Sequence, residues 1–195
     1  GTVVDADDLI EDMVKTAREM SAELGKLDGC TEEEAEAVST MVGLGALKYF
    51  ILKVDPKKTM LFDPRESIDF NGNTGPFIQY THARICSVLR KAADQGIAYD
   101  TKAEADYIAE EIELVKMLAD YPATVAAAGE NFAPSIIGAY IYELAGAVNK
   151  FYHETRILTE EDKDLQAGYI SLIGLAKNVL EACTNILGFS APEKM

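Results

Sequence analysis

The chain has 195 residues, of which 48% are hydrophobic and 26% are charged, and its formal net charge at pH 7 is −15. This length and composition are those of a globular protein with one large domain, or with one domain and part of another. The acidic balance argues against a surface coated in basic patches for non-specific nucleic-acid binding, but a local basic site remains compatible with it.

Membrane and secretion signals are not expected. No apolar run approaches the roughly 20 residues that a membrane span needs, and the acidic start of the chain is wrong for a signal peptide. The chain opens with Gly1 rather than Met, which suggests an excised fragment. Its three cysteines have neither CxxC nor zinc-ligand spacing, which predicts reduced, buried thiols in a cytoplasmic protein; they are Cys30, Cys86 and Cys183.

Two helices are predicted first. Asp5 is a good N-cap for a helix over residues 6–24, whose apolar positions recur at helical spacing. A capping box of Thr31 and Glu34 opens a second helix, which runs to about residue 53.

Glycines and turn signals mark the second predicted helix and the segment that follows it. The glycines at 43 and 45 in the second helix predict close packing of a neighbour. Residues 57–75 are the least helical stretch, with a short extended piece predicted at 60–62 and turn signals at Asp63-Pro64 and Asn71-Gly72. We therefore place a domain junction here, with domains over residues 1–73 and 74–195.

Everything after Thr74 is predicted to be helical. Thr74 caps the third helix and Pro76 suits its first turn. Later helices are expected at about 102–118, 122–129, 134–153 and 160–187, the last capped by Thr159. Two heptad-like apolar stripes are predicted to be core: Ile137, Ile141, Leu144, Val148 and Phe151, then Leu165, Tyr169, Leu172, Ala176, Val179, Cys183 and Ile186. With no alternating strand pattern, the fold class is an all-α helical bundle.

The sequence offers little for catalysis. His82 and His153 have no second histidine or cysteine at ligand spacing, so each is predicted to lie on a helix surface or in a satisfied, partly buried position. No phosphate-binding glycine loop and no nucleophile elbow occurs. The acidic segment 5–12 lacks the ligand spacing and central glycine of a calcium loop. We therefore expect no catalytic residue and no metal site in this chain.

The segment DFNGNTGPFIQYTHAR, residues 69–84, is the exception. On a helix, Phe77, Tyr80 and Arg84 share one narrow face with Ser87 and Lys91, whereas a second, mostly apolar face is core. Aromatic rings and cations in line suit an RNA strand, since rings stack on bases and cations hold phosphates. The alternative is that the aromatics pack on a neighbouring helix and Arg84 pairs with an acid, and spacing alone favours it.

The run ALKYFILKVDPKKTMLFDPRESIDFNGNTGPFIQYTHARICSVLRKA resembles the arginyl-tRNA synthetases, which are class I aminoacyl-tRNA synthetases. PSIIGAYIYELAGAVNKFYHETRIL resembles their α-helical anticodon-binding domain, and ILGFSAPEKM resembles their ending. GTVVDADDLIEDMV resembles the segment after the family's KMSKS-like loop. Neither that loop nor the HIGH-like motif is present, so the resemblance implies a C-terminal piece: helices from the end of the catalytic half, then the anticodon-binding domain.

The resemblance also implies ligands and site residues. It implies binding of tRNA-Arg and of the N-terminal catalytic half of the same enzyme, a monomeric full-length protein, and no membrane partner. It implies no cofactor in this piece, and ATP with Mg in the full-length arginine–tRNA ligase, so that this piece alone is inactive. The positions matching tRNA-facing residues are Tyr80 and Arg84, the firmest, followed by Phe77, Tyr140 and Met195.

One position departs from the family. Near the start of the last long helix, the family usually has an Arg after a small residue, whereas this chain has Gly168-Tyr169. A phosphate contact from that position is therefore in doubt. The competing hypothesis is a helical scaffold or protein-interaction module that does not bind RNA, which the acidic charge and regular stripes favour slightly.

Overall fold

The computed structural model describes residues 5–97 and 109–195, and within these two ranges all regular secondary structure is helical. The prediction of an all-α fold is confirmed. The helices are α1 (Ala6–Glu23), α2 (Glu32–Leu52), α3 (Pro64–Ser67), α4 (Gly75–Asp94), α5 (Ala109–Ala119), α6 (Tyr121–Glu130), α7 (Pro134–Glu154) and α8 (Lys163–Ile186), with a 3-10 turn at Ile157–Thr159. The predicted start of the fourth helix, at 102–108, lies outside the described residues.

The predicted caps of the first three long helices are confirmed. Asp5 accepts a hydrogen bond from the backbone N–H of Asp7 at 2.9 Å, and Thr31 and Glu34 form both halves of a capping box. Thr74 Oγ1 accepts from the N–H of Phe77 at 3.3 Å. Three of the long helices, α1, α4 and α8, are followed by a glycine with a positive φ, the conformation that glycine adopts without strain: Gly25, Gly96 and Gly188.

Two predicted boundaries were wrong. Asp162, not Thr159, caps α8, because its carboxylate accepts hydrogen bonds from the backbone of Asp164 and Leu165. Residues 160–162, predicted to be helical, are not, and a separate 3-10 turn precedes them at Ile157–Thr159. The side chain of Gln166, 2.9 Å from the carbonyl oxygen of Leu158, holds this turn against α8. Asp63-Pro64, predicted to be a turn, begins the one-turn helix α3.

Buried apolar side chains form two clusters. The first, the N-terminal cluster, lies among α1, α2 and the segment after α3, and its buried members are Met13, Ala17, Val38, Val42, Ala46, Leu47, Ile68 and Phe70. The second, the C-terminal cluster, is larger and joins α4 to α8, with Tyr49 of α2 as a member. The predicted stripe of α7 is wholly buried. That of α8 departs from the prediction at both ends, because Leu165 is only partly buried and Ile186 is half exposed, with Leu187 buried instead.

The helices α2 and α4 cross at glycines. A Cβ on Gly75 would lie 2.4 Å from the carbonyl oxygen of Gly45, and a Cβ on Gly43 would lie 2.9 Å from the backbone of Met13. Both distances are too short for any side-chain carbon, so the close packing expected at the two α2 glycines is confirmed. The crossing fixes the direction in which α4 leaves the N-terminal helices.

One described helix, α2, is long and apolar enough to cross a membrane by length and composition. Its sequence has no unbroken apolar run, because glycine, serine, threonine and Lys48 interrupt it. Core helices of globular proteins meet the same criterion when they are buried on several sides. Since α2 packs against α1 and α4, the criterion supports no membrane assignment here.

Candidate nucleic-acid interface

A groove of about 480 Å³ lies between α4, the end of α7, the 3-10 turn and the tail, by which we mean residues 188–195. Among the described residues, the fifteen that line this groove include no Asp or Glu, although the chain has 33 of them against 18 Lys and Arg. Five lining residues are cations: Arg84, Arg90, Lys91, Arg156 and Lys194. The groove is therefore a local basic surface on an acidic protein.

The helix α4 supplies one wall of the groove. Tyr80, Arg84, Ser87 and Lys91 recur at helical spacing and all line it. The neighbouring faces of α4 are buried on both sides, including positions such as Gln79 that the sequence did not mark as core. Up to Val88, burial on both sides leaves only this narrow face of the helix open to a ligand.

Arg84 lies between two aromatic rings. Its guanidinium carbon is 4.8 Å from the ring centroid of Tyr80 and 5.0 Å from that of Tyr152. Its Nη1 donates a hydrogen bond to Oδ1 of Asn149, whose Nδ2 donates in turn to Oγ1 of Thr81 at 2.8 Å. No described carboxylate forms an ion pair with Arg84. The pairing with an acid that the alternative hypothesis required is therefore not observed, and the guanidinium is positioned without being neutralised.

Tyr80 is partly buried and sits beside a second cation. The ammonium of Lys26, in the turn after α1, lies 3.4 Å from the Tyr80 ring centroid, and the ring of Phe70 meets Tyr80 edge-on at 6.5 Å. The Lys26 ammonium is the main cause that lowers the pKa of the Tyr80 hydroxyl, and Arg84 adds to it against the opposing effect of burial. Both cations therefore favour a more acidic hydroxyl at the groove.

Met195 and Lys194 bring the tail into the groove as a further wall. Met195 is partly buried and packs against the N-terminal cluster. The structure thus brings together three of the five residues that the family resemblance marked, namely Tyr80, Arg84 and Met195.

The other two marked residues lie elsewhere. Phe77 packs on the C-terminal cluster, with its ring centroid 5.4 Å from that of Tyr142. Tyr140 is 9% exposed, and its hydroxyl donates to the carbonyl oxygen of Met117 at 2.9 Å. Burial raises the pKa of Tyr140. Neither lines the groove, so a tRNA contact from these two side chains stays a prediction.

Several residues that line the groove or contact its lining were not predicted from the sequence. Lys26 could not have been found, since 54 positions separate it from Tyr80. Tyr152 and Arg156 carried a usable signal, because they repeat the Tyr-x-x-x-Arg spacing of Tyr80 and Arg84. Helix α7 ends between Tyr152 and Arg156. These two side chains therefore line the groove from the point where the chain leaves the helix.

The remaining candidates behave as ordinary structural residues. His82 is 1% exposed with its Nδ1 3.0 Å from the carbonyl oxygen of Pro192, which confirms a satisfied core position. His153 is exposed at the end of α7. Across the described residues, no group of three or more His, Cys, Asp or Glu is placed to hold a metal ion.

The comparison with protein families decides the class of this fold. The profile of the DALR anticodon binding domain matches residues 78–195, which is more than half of the chain. The chain belongs to the DALR anticodon-binding domain family. The match begins within α4, four positions after Thr74, and includes the groove residues of α4, α7 and the tail.

Relatives of this DALR chain are longer proteins. The arginine–tRNA ligases of Phocaeicola vulgatus and Bacteroides thetaiotaomicron are each 54% identical to it over 197 residues, covering 100% of this chain and 32% and 33% of theirs. The structure of Thermus thermophilus arginyl-tRNA synthetase superimposes with a TM-score of 0.87 at 29% identity, over 99% of this chain and 32% of that one. The predicted resemblance to arginyl-tRNA synthetases is confirmed, and the chain spans about a third of the length of these relatives.

Proposed function

We propose that this DALR chain is the tRNA-binding part of an arginine–tRNA ligase and that its groove binds the anticodon loop of tRNA-Arg. The observation that carries the proposal is the composition of the groove, with five cationic side chains, two tyrosines and no Asp or Glu among its described lining residues in a chain of net charge −15. A basic groove on an otherwise acidic protein is suited to binding a polyanion.

The chemistry of the groove suits unpaired RNA. The rings of Tyr80 and Tyr152 offer π-faces to unstacked bases, and each stacked base contributes ~1–3 kcal/mol. Arg84 between them can contact a phosphate or stack on a base. No salt bridge within the described residues neutralises Arg90, Lys91, Arg156 or Lys194, so their charges can attract phosphates along the groove.

The domain arrangement is part of the same proposal. Residues 74–195 would be the anticodon-binding domain and residues 1–73 the end of the catalytic region. The division of the core into two clusters and the family match from residue 78 support it. The junction is tight, because the Tyr49 hydroxyl of α2 lies 2.6 Å from Asn73 Oδ1 and donates to Gly138 O at 2.9 Å.

The full-length protein would attach arginine to tRNA, with ATP activating the amino acid before its transfer to the terminal ribose. The names of the relatives support this activity. The residues that bind ATP with Mg and arginine would lie in the catalytic half of the same cytoplasmic, monomeric enzyme. The residues of this chain would bind the anticodon end and so orient the tRNA toward that half.

Titration of fluorescent stem-loop RNA tests the proposal directly. The anticodon stem-loop of tRNA-Arg should bind more tightly than that of a non-cognate tRNA, and less tightly at higher salt. Tyr80→Ala or Arg84→Ala should weaken cognate binding roughly tenfold or more, as expected for one lost stacking or phosphate contact. Arg84→Ala should also reduce the salt slope by about 1.

Matched control variants lie outside the groove. Phe132 is an 89% exposed aromatic residue before α7, and Arg65 is an exposed cation of α3, so Phe132→Ala and Arg65→Ala should bind like the wild type. Equal or absent binding of the two RNAs would instead support the helical scaffold. Arginine-dependent ATP–pyrophosphate exchange by this chain alone would contradict its assignment as a non-catalytic part.

A further inference from the structure

We propose that Gln79 and His82 are positioning residues that hold the tail against α4, so that Lys194 and Met195 form a wall of the groove. This inference rests on the proposed function only for its RNA readout, because the position of the tail can be measured without RNA. The two side chains lie on the face of α4 next to Tyr80, and they are 0% and 1% exposed.

The tail is fixed by side chains of other segments. Residues 189–195 have no helix of their own, yet Phe189 and Pro192 are buried. Four tail carbonyl oxygens meet side-chain donors from α2 and α4: Gly188 O with Lys48, Ser190 O with Gln79, Pro192 O with His82, and Glu193 O with Arg90. The path of the tail therefore depends on these donors, and the two buried ones exclude competing water.

Gln79, a residue of α4, links the tail to α2 through two hydrogen bonds. Its amide nitrogen donates both hydrogens, one to Ser190 O at 2.7 Å and one to Met41 O at 2.8 Å. Space for the amide exists because position 45 is glycine, where a Cβ would lie 2.4 Å from Gln79 Nε2. The absence of a side chain at Gly45 of α2 thus leaves room for Gln79, which holds the tail.

His82 forms a hydrogen bond with the tail at Pro192, two residues after Ser190. Pro192 has no N–H, and its carbonyl oxygen can only accept, so the 3.0 Å contact requires the His82 tautomer with hydrogen on Nδ1. The ring is packed beside Cys86, whose Sγ lies 3.9 Å from Nε2. The residues after Pro192 then turn into the groove, where Met195 packs on the N-terminal cluster.

Two substitutions of His82 distinguish the contribution of its hydrogen bond from that of its ring packing. His82→Leu removes the donor, whereas His82→Asn keeps one, because the Asn amide nitrogen occupies about the place of Nδ1. The methyl resonance of Met195, assigned with Met195→Leu, reports the tail in the free protein. We expect His82→Leu to move this resonance toward that of an unstructured methionine and to weaken binding of the tRNA-Arg anticodon stem-loop about tenfold. His82→Asn should stay close to the wild type in both measurements.

A shortened chain tests whether His82 acts through the tail. Removal of Lys194 and Met195 should itself weaken RNA binding about tenfold. In that shortened background His82→Leu should cause no further loss, since the wall it positions is gone. A full additional loss there would overturn the inference, because His82 would then act on RNA by another route.

The outcomes separate this inference from the proposed function. If the wild type does not bind the stem-loop, the proposed function fails, and the Met195 resonance alone still decides the tail. An unchanged resonance in His82→Leu overturns the inference whatever the RNA does. If circular dichroism shows that His82→Leu unfolds, the same measurements on Gln79→Met decide, since this variant keeps the side-chain length and loses both donors.

Discussion

The guanidinium of Arg84 is held by the side-chain amide of Asn149, which is neutral. Asn149 lies on α7, 65 positions along the chain, and is itself fixed by its hydrogen bond to Thr81. In a chain with 33 acidic residues, this choice of partner positions the cation between Tyr80 and Tyr152 while leaving its charge available to a ligand.

Asn149→Asp should therefore weaken RNA binding, although it changes the shape of the side chain very little. The new carboxylate would form an ion pair with Arg84 and place a negative charge beside a groove whose described lining includes no Asp or Glu. We expect roughly tenfold weaker stem-loop binding and a salt slope lower by about 1. Isotherms at several salt concentrations measure both, and wild-type affinity in this variant would contradict a role for the Arg84 charge.

Lys26→Met should raise the pKa of Tyr80. The ammonium of Lys26 is the main cause that lowers this pKa, and its removal leaves burial, which raises it, opposed by Arg84 alone. Carbon-13 NMR of labelled tyrosine, followed through a pH titration, measures the change. Lys48→Met is the matched control, since Lys48 contacts the tail at Gly188 and not Tyr80. An unchanged Tyr80 titration in Lys26→Met would show that the ammonium does not reside at the ring in solution.

Protonation of His82 should make the folded protein less stable in mild acid. Burial lowers the pKa of His82 in the folded state, so below the unfolded value of about 6.5 the unfolded chain binds a proton that the folded chain resists. Stability is thus fully present above about pH 6.5 and falls as the pH decreases toward the folded pKa, by at most about 1.4 kcal/mol per pH unit.

Urea denaturation at pH 7.5 and at pH 5.5 measures this effect. His82→Asn should reduce the difference in unfolding free energy between the two pH values, because the titrating group is removed while the donor to Pro192 remains. His153→Asn, at an exposed position, should leave the difference in place. An identical difference in both variants would mean that His82 makes no contribution to it.

Gly75→Ala should destabilise the fold by about 1–3 kcal/mol, the usual cost of overpacking. The new methyl would lie 2.4 Å from the carbonyl oxygen of Gly45, a backbone atom that can move only if α2 and α4 separate. Gly146→Ala, in an exposed part of α7 with no atom within 4 Å of the added Cβ, should stabilise by up to about 1 kcal/mol. Urea denaturation compares them, and equal effects would contradict a tight crossing.

Local structure was largely determined by the sequence itself. The caps at Asp5, Thr31 and Thr74, and the buried stripe of α7, depend on residues within one or two turns of one another, so periodicity and capping chemistry suffice to predict them. The prediction failed at the start of α8 because two side chains, Thr159 and Asp162, compete for the same role. That competition is settled by how the 3-10 turn packs on Gln166.

The groove itself was decided by tertiary structure. Spacing placed Tyr80 and Arg84 on one face of α4 and suited RNA, but the same spacing favoured packing on a neighbour, and the family resemblance was needed to favour RNA. The cations and rings that complete the site come from α4, the end of α7 and the tail, with Lys26 contributing from the turn after α1. No local pattern joins segments so distant along the chain, since their meeting depends on the glycine crossing of α2 and α4 and on the buried side chains that hold the tail.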